Sequence, residues 1–100
     1  MRRERVTFHS GAFEDARNAW EWYRKKSASA ADGFWAELER AVSLLALSPS
    51  RWPRHTQGTR RYVMHRYPFC IVYRVLADDL VHVIAVAHGR RRPDYWRKRY

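Results

Sequence analysis

The chain has 100 residues, 46% of them apolar, with a formal charge of +10 and a sequence pI near 10.6. That length suits a single domain spanning residues 1–100 with a modest core. The apolar content excludes a disordered chain, and no apolar run reaches the roughly 20 residues that cross a bilayer. The N-terminal MRRERVTF has no apolar stretch behind it, so cytoplasm is the expected compartment.

The charge is uneven. Residues 1–50 hold eight Lys/Arg and seven Asp/Glu, an excess of +1, and residues 51–100 hold twelve and three, an excess of +9. Seventeen of the cations are Arg, whose planar fork binds phosphate and carboxylate in pairs of hydrogen bonds. An acidic partner is expected for the second half. Cys70 is the only cysteine, which excludes an internal disulfide, and its place in FCIVY predicts a packed thiol.

In chain order, residues 3–8 alternate polar and apolar and predict a short edge strand with Val6 and Phe8 inward. Ser10 is the expected cap of a first helix reaching Ser27, with Glu14 and Asp15 near its positive end and Arg24, Lys25 and Lys26 in its last turn. Its apolar stripe reads Phe13, Ala16, Trp20, Tyr23, flanked by an exposed Glu21/Lys25 pair. Ser29 with Asp32 resembles a capping box opening a second helix that Ser48 and Pro49 close. Phe34, Leu38, Ala41 and Leu45 form its stripe. Trp35, Val42 and Leu44 widen it beyond the needs of one packing partner, and Gly33 lowers helix propensity unless something must approach closely. Two or three linking residues fold the helices into an antiparallel hairpin. A DNA-reading helix-turn-helix is disfavoured, since residues 30–47 carry one Arg against three acids.

Residues 51–59 read as a loop. Three strands follow as a meander over residues 60–66, 69–76 and 80–88, with turns at Tyr67-Pro68 and residues 77–79. FCIVY and VHVIAVA are apolar on both faces and should be central. The expected architecture is α+β, a helical hairpin packed on a small, mainly antiparallel sheet in the order βααβββ, with a short C-terminal helix that Pro93 can start, or a tail.

No Gly-rich phosphate loop appears. The histidines at 9, 55, 65, 82 and 88 form no HxxxH or HxH pair, so neither a cofactor nor a metal is expected. His88 stands where the last strand emerges beside Arg90 and Arg91 and is the one proton carrier suited to neutral pH. Arg61, Arg66, Arg74, His88, Arg91 and Tyr95 are the pieces from which a metal-free site for RNA cleavage would be built.

The segments TRRYVMHRYPFCIVYRV and VHVIAVAHGRRRPDYWRKR, joined by an acidic turn, resemble the second half of the RelE/ParE toxin family. There an Arg opens the second strand (here Arg60 or Arg61), a YRIxY-like third strand follows (residues 69–73), and the last strand ends in AVxHxRR (residues 85–91). The resemblance implies the toxin of a type II toxin-antitoxin, or plasmid-stabilisation, module. A small antitoxin would hold it in a hetero-oligomer by folding a flexible end over it. Cys70 and Gly89 stand where the ribosome-dependent ribonuclease branch carries catalytic arginines, while Tyr95 matches that branch's tyrosine. HGRRRP is closer to the ParE branch, whose characterised members act on DNA gyrase. Growth arrest through gyrase is therefore the leading expectation, with Arg90, Arg91, Arg92, Tyr95, Trp96 and Arg97 as the target surface and Trp20, Tyr23, Trp35, Leu38 and Val42 facing the antitoxin. The alternatives are an mRNA endoribonuclease acting on ribosomes or free RNA, using Arg61, His88, Arg91 and Tyr95, and a non-toxic RNA-binding module.

Overall fold

The computed structural model describes residues 5–92 and 94–99. β1 (Val6–Phe8) leads into α1 (Ser10–Lys26) and α2 (Ala28–Leu47), followed by β2 (Arg60–Val63), β3 (Phe69–Val75) and β4 (Val81–His88). The sheet order is β1-β4-β3-β2, parallel between β1 and β4 and antiparallel elsewhere, so the α+β, βααβββ expectation holds and β3 and β4 are central. The strand expected from Arg3 is seen from Val6, and residues 3 and 4 lie outside the described part. Among the described residues no helix is long and apolar enough to cross a membrane.

The helix caps fall one or two residues from their expected places. His9, not Ser10, caps α1, with its Nδ1 accepting the Gly11 N–H at 2.9 Å. Ser27, not Ser29, caps α2 by accepting the Ala30 N–H, and the same residue ends α1 by donating its N–H to the Tyr23 carbonyl. One residue thus makes the whole turn of the hairpin, because its extended backbone satisfies both helix ends.

The buried side of α1 is Ala12, Asp15, Ala16 and Ala19, rotated from the aromatic stripe read in the sequence. Alanines let the helix lie close against β4, and Phe13 is displaced to the surface, 51% exposed. α2 buries its expected stripe, Phe34, Leu38, Ala41 and Leu45, against Ile71, Tyr73, Val81, Val83 and Val86 in the same cluster. Gly33 has its close neighbour: a Cβ there would stand 2.5 Å from the Tyr67 hydroxyl, which donates to the Ala30 carbonyl. β2 stops at Val63 rather than Arg66 because buried Glu37 accepts the His65 and Arg66 N–H groups, at 2.6 and 3.3 Å, and draws them off the ladder.

The opposite face of the sheet has its own core of Val72, Ile84, Ala85 and Trp96, with Cys70 and Tyr95 packed against it. A register shift between Val72 and Tyr73 lets Ile84 and Ala85 both serve that face. The C-terminal segment therefore closes the second face of β4.

Candidate functional site

β4 ends at His88, whose ring lies edge-on to Phe69 with centroids 5.0 Å apart. Its Nδ1 accepts the Arg90 N–H at 2.9 Å, and its carbonyl accepts the Arg91 N–H. The Gly89 N–H donates to the Pro68 carbonyl at 2.8 Å, tying this turn to the one before β3. Arg90, Arg91 and Arg92 leave this turn exposed. Pro93, the expected helix start, lies outside the described residues. Residues 94–98 form turns and no helix, and Asp94 has φ of 66°, which a right-handed helix does not allow.

The segment is held by Asp15. One of its carboxylate oxygens accepts the Val86 N–H at 3.1 Å, the Tyr95 hydroxyl at 2.8 Å and the Arg99 guanidinium at 2.8 Å, and the other stands 3.6 Å from Arg91. Arg99 also donates to the Ile84 carbonyl. β1 covers only the start of β4, from Val81 to Val83. Asp15 and Arg99 thus take edge groups of β4 that β1 does not reach. Gly11 makes room, since a Cβ there would meet the Arg99 guanidinium at 2.6 Å. Arg91 in turn lies over the Tyr95 ring, 3.7 Å from its centroid.

Of the four residues expected to cleave RNA, His88, Arg91 and Tyr95 lie together at this turn and Arg61 does not join them. Arg61 pairs with Val72 across β2 and β3 and so lies on the face that carries Trp96, whereas His88 pairs with Phe69 on the helical face. The Tyr95 hydroxyl is committed to Asp15, and burial, reinforced by that carboxylate, pushes its pKa far above the usual tyrosine range against the opposing pull of Arg91 and Arg99. Burial likewise raises the Cys70 thiol, opposed by Arg61, in keeping with a packed thiol. Trp96, expected at the target surface, is instead buried at 4% exposure because its ring fills the second core, while Arg90, Arg91, Arg92 and Arg97 are exposed.

His88 and Arg91 do meet, at a cleft of about 390 Å³ that Asp15, Asn18, Trp22, Tyr23 and Phe69 help to line. Trp22 is 56% exposed, and sequence reading passed over it because it falls outside the helix stripe. Asp15 was visible as a charge at the head of α1. The signal that it is a buried hub was its place among Ala12, Ala16 and Ala19, on the same side of the helix.

A second concavity, of about 240 Å³, crosses the hairpin and β1, lined by Val6, Phe8, Phe13, Trp35, Leu38 and Val42 among others. Trp35 continues it toward Arg17 and Trp20. Four of the five residues expected to face a partner gather here, though Leu38 and Val42 lie in its floor at 3% and 7% exposure because both also serve the core. Tyr23 is on the other side, stacked on Phe34 and lining the His88 cleft.

No protein with a curated description matches the chain. Among solved structures, the chromosomal ParDE toxin-antitoxin system from P. aeruginosa superposes with a TM-score of 0.70 at 15% identity, over 83% of this chain and 92% of that one, which supports the fold. The family model for the ParE toxin of the type II toxin-antitoxin system, parDE, matches residues 6–93, from β1 past the arginine turn. The chain belongs to the ParE toxin family.

Proposed function

We propose that this toxin arrests growth by binding DNA gyrase rather than by cutting RNA, and that an acidic antitoxin neutralises it. The observation that carries this reading is the division of the residues suited to nuclease chemistry. General acid-base catalysis needs two groups within hydrogen-bond reach of the same reacting atoms. Here Tyr95 is engaged by Asp15, and Arg61 and His88 lie on opposite faces of the sheet. Arg90, Arg91, Arg92 and Arg97 remain as an exposed cationic surface, suited to gripping an acidic target without reacting with it.

The antitoxin would lay the apolar face of an amphipathic segment along Phe13, Trp35 and Val42. Among the described residues β1 is an outer strand of the sheet, and its edge adjoins that groove and could receive an extended stretch. Coexpression with the small acidic protein encoded beside this gene should rescue growth. Purified toxin should block gyrase supercoiling, and induced cells should filament with double-strand breaks while bulk mRNA stays intact. Rapid mRNA loss with gyrase unaffected would overturn the proposal.

A further inference from the structure

The gyrase reading leaves the cleft between α1 and the Pro68–Phe69 turn without a use. Its mouth carries two donors that other groups hold in place. Arg91 stands at the lip, half-exposed at 51%, with its guanidinium fixed by Asp15 beneath it and by the Tyr95 ring at its face. His88 accepts the Arg90 N–H at Nδ1, so in its neutral form the proton is on Nε2, the nitrogen left to donate. Beside them is an exposed indole, Trp22, standing edge-on to Tyr23 with the Lys26 ammonium 4.9 Å from its centroid. Phe69, Val86 and Ala19 add an apolar lining. The one acid in the lining, Asp15, is already neutralised by Arg99.

We propose that this cleft binds a nucleotide unit, with the planar base against Trp22 and the phosphate on Arg91 and His88. An ordered guanidinium matches a phosphate in two parallel hydrogen bonds, and an indole that is 56% exposed, with Lys26 over one side of its ring, can stack a flat ring on the other, which an acidic side chain would leave unused. The volume falls within the range of small-ligand sites. The source is either a free mononucleotide or one residue of a single strand. This inference does not rest on the gyrase reading, and its test involves no growth arrest.

The purified full chain is titrated with a short fluorescein-labelled single-stranded oligoadenylate at fixed ionic strength, and anisotropy is read. Trp22→Ala removes no charge and should weaken binding about tenfold, the scale of one lost base stack. Arg91→Gln should weaken it comparably, while Lys98→Ala, exposed and outside the cleft lining, should change it less than twofold. Displacement by AMP identifies a free nucleotide as sufficient. Oligonucleotide binding that depends on Trp22 but resists AMP identifies the strand, and either result supports the site. Absent binding, binding indifferent to Trp22→Ala, or a polyglutamate peptide that competes with the same Trp22 dependence would overturn it. Unchanged far-UV spectra of the variants exclude a folding artefact.

Discussion

Replacing Asp15 by Ala tests whether one side chain holds the C-terminal segment to the sheet. The carboxylate is 5% exposed and accepts three hydrogen bonds, from the Val86 N–H, the Tyr95 hydroxyl and Arg99. Removing one partner of a buried, hydrogen-bonded ion pair costs about 3 to 5 kcal/mol. Arg99 is 19% exposed and Arg91 51%, so water recovers part of that, which brings the expected loss to about 3 kcal/mol. Against a total stability of roughly 5 to 15 kcal/mol the variant should fold, with a lower urea midpoint and an unchanged slope. Arg99→Ala alone should cost about 2 to 3 kcal/mol, because it leaves the buried Asp15 carboxylate without its close counter-charge and the Ile84 carbonyl without its donor, while the Val86 N–H, the Tyr95 hydroxyl and Arg91 remain. The double variant should then be more stable than the sum of the two losses implies, by at least about 1 kcal/mol. A loss below about 1 kcal/mol for Asp15→Ala, or strict additivity with Arg99→Ala, would refute the hub.

Ile84 is fully buried in the second core, so Ile84→Ala should lower stability by about 2 to 5 kcal/mol, whereas Arg91→Ala should cost no more than about 1 kcal/mol by thermal melt and yet abolish growth arrest. Tyr95→Ala should cost more than Arg91→Ala, because its ring packs on that core and its hydroxyl serves Asp15, and Tyr95→Phe should recover the packing part. Gly11→Ala should destabilise the wild type by pushing Arg99 aside, but become neutral or stabilising by up to about 1 kcal/mol in an Arg99→Ala background, where only helix propensity remains. Burial pushes the Tyr73 pKa up to about 12. The unfolded chain ionises near the usual value of about 10 and the folded one later, so this contribution is present below pH 10 and lost between about pH 10 and 12 at roughly 1.4 kcal/mol per unit. Tyr73→Phe should flatten that alkaline limb in urea titrations while losing, at neutral pH, about 1 kcal/mol for the hydrogen bond to the Pro49 carbonyl. An alkaline limb of unchanged slope would contradict it.

What the chain determines locally was legible in it. Hydrophobic period separates the two helices from the strands, and the apolar runs FCIVY and VHVIAVA, with no polar face, mark β3 and β4 as the strands covered on both sides. The charge asymmetry and the HGRRR turn located the cationic end of the sheet, because unpaired charge beyond a buried strand has to remain in water. Periodicity could not say which of two overlapping stripes on α1 packs inward. Aromatics carry more apolar area, but the fully buried side of α1 is the one with Ala12, Ala16 and Ala19, while Trp20 and Tyr23 pack at the edge of the core, and which side faces the sheet is a property of the assembled layers. Composition likewise read Trp96 and Tyr95 as surface rings among cations. Only the folded chain shows that the second face of β4 needs a cover, and that the nearest large rings are those two. Asp15 belongs to the same class. A carboxylate in the first turns of a helix is explained locally by the dipole, while its partners, Val86, Tyr95 and Arg99, lie 71 to 84 residues away and meet it only because the parallel strand β1 is too short to cover the edge of β4.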